Sequence, residues 1–231
     1  MFKKKRKHMD QKTARQLITV ASPKSIISEQ FRTIRTNLTF SLPDEELKTL
    51  FFTSASALEG KSTISANTAV TFAQAGKKVL FVDADMRKPT VHYTFRLPNA
   101  AGLSTVLTKQ ITLEEVIRET DIDNLSVITS GPIPPNPSEL LGSKTMTSLL
   151  EKLKEDFDLI VFDAPPTLSV TDAQILSNEM DGTVLVIDVG YTEKDSIIKA
   201  KELLEQADAK ILGVVLNNYT NSSGEYYEYY G

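Results

Sequence analysis

The sequence predicts a doubly wound α/β domain, a mostly parallel sheet flanked by helices. Six runs rich in β-branched residues, at 48–53, 78–83, 125–129, 158–163, 183–188 and 211–217, are mostly continuously apolar rather than alternating. That pattern suits strands buried on both faces of a parallel sheet. Helix-like segments at 62–75, 143–155, 171–180 and 193–207 fill the gaps. Strand and helix alternating at this spacing build one domain with no internal repeat and no internal linker, and 231 residues suffice to give it a real core.

Taken in order, residues 1–16 form a basic arm. Lys3, Lys4, Lys5, Arg6, Lys7, Lys12 and Arg15 against Asp10 give it a net +6, which leaves −10 on the remainder of a chain of formal charge −4. Such an arm is either a solvated extension or a contact for an anionic surface, lipid or nucleic acid. The domain proper, 17–220, opens with a helix at 28–40. Ile27, Phe31, Ile34 and Leu38 recur there at three or four residues and define an apolar face, while Glu29, Arg32 and Arg35 form a second stripe at three-residue spacing. The stripe is either a solvated face or a subunit contact. The helix at 62–75 ends at Gly76, where a left-handed cap belongs. Gly131-Pro-Ile-Pro-Pro-Asn-Pro137 follows a strand and is too rich in proline for helix or strand, so a stiff loop on the ligand side of the sheet is expected. Residues 221–231 carry serines and Gly224 without apolar periodicity, as a flexible tail does. Five of the seven tyrosines, Tyr219, Tyr226, Tyr227, Tyr229 and Tyr230, crowd into the last thirteen positions.

Composition removes several chemistries. The chain has no cysteine, which excludes disulfide scaffolds, thiolate zinc sites, iron–sulfur clusters and thiol nucleophiles. With only His8 and His92, a histidine metal site or a Ser-His-Asp triad would have to rest on His92, which we read as structural. No apolar run approaches the roughly 18 residues of a membrane span, so the expectation is a soluble cytoplasmic protein.

The most informative stretch is Thr53-Ser-Ala-Ser-Ala-Leu-Glu-Gly-Lys-Ser-Thr63, between an apolar strand and an amphipathic helix. A phosphate-binding loop needs converging backbone N–H groups, a lysine for the β/γ-phosphates and a hydroxyl for Mg²⁺ at the helix start. Gly60, Lys61 and Ser62 supply that core, although the generic pattern wants glycine where Ala55 stands. Asp83 and Asp85 close one hydrophobic strand, spaced by one residue, and Asp163 closes another. At the C-terminal edge of a parallel sheet all three face the loop that ends at Lys61. Carboxylates clustered at a phosphate site are costly unless a cation neutralises them, so Mg²⁺ is implied.

Lys61-Ser-Thr63, Val82-Asp-Ala-Asp-Met-Arg-Lys-Pro89, the proline-rich loop continued to Leu141, Asp163-Ala-Pro-Pro166, Thr171-Asp-Ala173 and the tyrosine-rich tail together resemble the bacterial tyrosine kinases of capsular and exopolysaccharide assembly. The likeness runs in order from about residue 23 to 231, and it is to the Gram-positive form, in which the kinase is a separate cytoplasmic chain. It implies a P-loop NTPase-like fold and an ATP- and Mg²⁺-dependent protein-tyrosine kinase that phosphorylates its own tail at Tyr226, Tyr227, Tyr229 and Tyr230. The implied catalytic residues are Lys61, Asp83, Asp85 and Asp163. Nucleotide contacts would come from Glu59, Gly60, Lys61, Ser62, Thr63 and Asn217, and metal ligands from Ser62, Asp85 and Asp163. Glu29, Arg32 and Arg35 match the family's subunit-contact motif.

The implied partners are a membrane-bound activator or chain-length regulator that recruits the kinase to the inner membrane face, a ring of identical subunits as large as an octamer, and a cognate tyrosine phosphatase. No nucleic-acid partner is expected. One departure stands out: most relatives carry Pro-Gly where this chain has Ala57-Leu58, which puts bulk beside the phosphates. Asn217 contacts adenine, as in related P-loop ATPases, or is a strand-end turn residue. Arg87 and Lys88 lie near the γ-phosphate or the incoming tail. Two other readings compete: a partitioning-type ATPase, which would carry lysine where Ser56 stands, and a nucleotide-gated interaction subunit with little catalysis.

Overall fold

The computed structural model describes residues 15–42 and 45–220. The arm up to residue 14 and the tail from residue 221, with its four candidate phosphate-accepting tyrosines, lie outside the described residues. Helices α1 (Ile18–Ala21) and α2 (Ile26–Phe40) precede β1 (Thr49–Ser54). Next come α3 (Lys61–Gln74), β2 (Val79–Asp83), α4 (Val91–Phe95), α5 (Leu103–Leu107), β3 (Arg118–Glu119) and β4 (Leu125–Ile128). The second half holds α6 (Pro137–Leu141), α7 (Lys144–Asp156), β5 (Leu159–Asp163), α8 (Asp172–Ser177), β6 (Gly182–Asp188), α9 (Lys194–Gln206) and β7 (Ile211–Asn217).

The strands form one sheet in the order β3-β4-β2-β5-β1-β6-β7, parallel throughout except for the short edge strand β3. Its central strands are apolar on both faces because both are covered. Phe51, Leu80 and Phe162 pack with Leu141, Leu149 and Leu153 on one side, and Phe52, Phe81 and Val161 pack with Phe31, Ala69 and Val70 on the other. These are the continuous runs visible in the sequence, and each phenylalanine so buried contributes about 1.5–3 kcal/mol. Strand β5 lies between β1 and β2, so the first two strands never pair with each other. Register then sets Asp83 directly beside Asp163. Alternation along β2 and β5 turns both toward the α3 side, the face that Phe81 and Val161 occupy two residues earlier.

Two expectations change in detail. Helix α2 starts earlier than residue 28, capped by Ser25, whose hydroxyl accepts the Ser28 N–H at 3.2 Å. Ile27 is 51% exposed and does not belong to the apolar face. Ser28 is buried in the same turn because α1 folds back over it, and its hydroxyl reaches the Ser22 carbonyl at 2.7 Å. Phe31 and Leu38 carry the burial of this helix. The second change is additional elements: α4, α5 and α6 have five residues each, too few to show a period, and β3 has two.

Candidate active site

Strand β1 ends at Ser54, the chain turns through residues 55–60, and α3 begins at Lys61. Gly60 sits at φ +93°, and a Cβ there would stand 2.2 Å from Asn217 Nδ2. Only glycine fits, because the last strand delivers Asn217 against the loop, where its amide donates to the Glu59 carbonyl at 3.0 Å. Leu58 also adopts a left-handed conformation, φ +69°, and its side chain is 62% exposed rather than packed against the loop.

Lys61 gathers the acids. Its Nζ lies 3.3 Å from Asp85 Oδ2, 3.3 Å from Asp163 Oδ1 and 3.2 Å from the Ser62 hydroxyl. Ser65, one turn along α3 from Ser62, adds a 3.4 Å hydrogen bond to Asp163 Oδ1. Burial pulls the Lys61 pKa down, but the charges of Asp163, Asp85 and Asp83 outweigh it and the nearby Arg15, so the ammonium is held above its ordinary value. Asp83 is wholly buried, and its carboxylate accepts the N–H groups of Asp85 at 3.2 Å and of Thr90 and Val91 at 3.1 Å each. Burial, then the adjacent Asp163 and Asp85, push its pKa up to about 8 against the bonds that favour its charge. Asp85 Oδ1 accepts the Lys88 N–H at 3.0 Å.

The donor set fits Mg²⁺. Among the described residues Asp163 Oδ2 is buried without a hydrogen-bond partner, and the Ser62 hydroxyl and Asp85 stand beside the same lysine. No three acidic or histidine side chains among the described residues close on one point. That is compatible with Mg²⁺, which is usually held by one or two carboxylates together with phosphate oxygens.

The remaining candidates are more dispersed. Glu59 is buried and bonds Thr192, whose hydroxyl donates to Oε1 at 2.9 Å, and burial raises its pKa. It ties the loop to the segment after β6. Thr63 donates its N–H to the Gly60 carbonyl at 3.0 Å, within the first turn of α3. On α2, Arg32 pairs with Glu29 and reaches the Pro23 carbonyl. Arg35 donates to the Thr71 carbonyl at 2.9 Å, in the last turn of α3. Arg87 makes a two-pronged pair with Asp172.

The sequence gives no role to Asp172 and Ser138, although both lie in the quoted motifs, and does not single out Thr192; Asp172 and Ser138 bind Arg87 from 85 and 51 residues away, and Thr192 binds Glu59 from 133. Ser65 was discoverable, since it sits three residues after Ser62 and so on the same helix face.

Comparison with known proteins finds relatives over most of the chain. The AAA domain family matches residues 58–211. The tyrosine-protein kinase YwqD of Bacillus subtilis is 50% identical over 226 residues, covering 98% of this chain and 95% of that protein. The crystal structure of the chimerical protein CapA2B2 superposes with a TM-score of 0.86 at 46% identity, covering 90% of this chain and 93% of the other. The kinase domain of the Escherichia coli tyrosine kinase ETK superposes with a TM-score of 0.87 at 33% identity, covering 98% and 89%.

Proposed function

The chain belongs to the family of bacterial tyrosine-protein kinases, and from that premise we propose that it transfers the γ-phosphoryl group of ATP to the tyrosines of its own tail, Tyr226, Tyr227, Tyr229 and Tyr230, and thereby regulates capsule or exopolysaccharide synthesis. The observation that carries this reading is Lys61 held between Asp85 and Asp163 at the end of a P-loop, with Asp83 beside them.

A tyrosine near pKa 10 is mostly protonated at neutral pH. In the transfer its oxygen bonds to the γ-phosphorus, the bond from that phosphorus to the β,γ-bridging oxygen breaks, and ADP leaves with the electron pair. The phenolic proton goes to Asp85, or to Asp83 in those molecules in which Asp83 has already released its own proton. Lys61 holds the phosphates, and the N–H groups at the start of α3 point at them. Mg²⁺, held by Ser62, Asp85 and Asp163, would neutralise charge on the phosphates. Glu59, Gly60, Thr63 and Asn217 complete the nucleotide contacts.

No helix among the described residues is long and apolar enough to cross a membrane. A membrane-bound activator recruits the chain to the inner membrane face, Glu29, Arg32 and Arg35 join subunits into a ring, and a tyrosine phosphatase reverses the reaction. Ser56 stands where a partitioning-type ATPase would carry lysine, and such an enzyme has no use for a tyrosine cluster.

The test is incubation of the purified chain with its activator, Mg²⁺ and labelled ATP, followed by peptide mapping. Label in the C-terminal peptide supports the kinase, and free phosphate alone overturns it. Lys61→Met and Asp83→Asn are each expected to abolish tail labelling, and labelling that survives both would sink the site assignment.

A further inference from the structure

The loop that carries Asp85 is fastened from its outer side. Arg87 Nε donates to Asp172 Oδ2 at 2.9 Å and Arg87 Nη2 to Asp172 Oδ1 at 2.9 Å. Ser138 closes the arrangement: its hydroxyl donates to Asp172 Oδ1 at 2.6 Å and accepts from Arg87 Nη2 at 3.0 Å. Asp172 is wholly buried at the start of α8, and Ser138 lies in the first turn of α6. Segments that follow β2, β4 and β5 therefore meet at one carboxylate, and all three lie at the edge of the sheet where the nucleotide site is.

What this junction holds is specific. Between β2 and α4, Asp85 accepts the Lys88 N–H and Asp83 accepts those of Thr90 and Val91. Arg87 stands between these attachments, on a loop whose inward face carries Asp85 to within 3.3 Å of Lys61. The Arg87 side chain is 38% exposed, so it is not core filling. A guanidinium matched bidentately to a carboxylate fixes orientation as well as distance, which one ammonium contact does not.

We propose that Arg87 is a positioning residue for phosphoryl transfer, which, clamped to Asp172 and Ser138, fixes the loop that aims Asp85 at Lys61. The catalytic part of this statement rests on the kinase reading; the anchoring part does not.

The first measurement is hydrogen exchange on the full chain with neither nucleotide nor metal added. In Arg87→Ala the amides of Lys88, Thr90 and Val91 are expected to exchange at least about tenfold faster, while those of β5 keep their rates. Ser138→Ala, which spares the ion pair, should shift the same amides in the same direction by less. Unchanged exchange at these amides in Arg87→Ala overturns the proposal.

The second measurement is steady-state tail phosphorylation. Arg87→Ala is expected to lower kcat about tenfold or more with the KM for ATP within about threefold, and Arg87→Lys to recover only part of the loss. Because the residue acts through Asp85, Arg87→Ala should cost nothing further in an Asp85→Asn background. Additive losses, or full recovery by lysine, overturn the positioning role. If the unaltered chain labels no tyrosine, the kinase reading fails, while the exchange result still decides whether Arg87 anchors the loop.

Discussion

Leu58 is a branched residue in a conformation that favours glycine. Left-handed angles cost an L-residue about 1–2 kcal/mol, and glycine brings back about 0.5–1 kcal/mol through the entropy of the unfolded chain. Leu58→Gly is therefore expected to stabilise the fold by about 1 kcal/mol, read from urea denaturation. The side chain is exposed, so the gain comes from the backbone and no buried contact is lost. Asp83 makes the opposite kind of sacrifice. The folded chain keeps its proton up to about pH 8, whereas an unfolded aspartate releases it near about pH 4. Its contribution is full below the lower value and is lost as pH rises through the upper one. Asp83→Asn should thus show a smaller fall in urea midpoint between about pH 5 and about pH 8 than the unaltered chain, although it loses tail labelling. An equal fall in the two chains would mean that Asp83 is charged in the fold.

Helix α3 carries the phosphate loop at one end and serves as a post for the elements before β1. Asn67, fully buried in its middle, does most of this: Oδ1 accepts from the Thr19 N–H at 3.1 Å and hydroxyl at 2.9 Å, and Nδ2 donates to the Gln16 carbonyl at 3.3 Å as well as to the Thr63 carbonyl of its own helix at 2.9 Å. Asn67→Ala leaves the Thr19 groups unpaired in a buried place and is expected to cost about 2 kcal/mol, with α1 amides losing exchange protection before those of the sheet. None of this was legible in advance, because a polar residue inside a helical pattern looks the same whether it is exposed or clamped. The strands were legible, since burial on both faces leaves a composition that no turn or solvated helix shares. Lys61, Asp83, Asp85 and Asp163 were legible too, because chain order fixes which strand ends they occupy. Arg87 was read only as a neighbour of phosphate or tail, because its partner Asp172 lies 85 residues on and only the closed sheet brings them together.

At the scale of the molecule, charge is the organising quantity. The body is acidic and the tail already holds Glu225 and Glu228, while each phosphate adds roughly −1.5 to −2. Full tail phosphorylation is expected to dissociate the ring proposed through Arg32 and Arg35, and light scattering that finds one and the same oligomer before and after would refute this. Assembly of the fold itself has a different logic, set by the strand order. Strands β1 and β2 come first in the chain but are joined in the sheet only through β5, which supplies Asp163 as well as one ladder to each. A ribosome that has extruded the phosphate loop and the Asp83–Asp85 pair has therefore made two strands that share α3 but no ladder. The joining of β1 to β2 and the arrival of Asp163 at the site wait for the same five residues, so the site is completed in the step that closes the centre of the sheet.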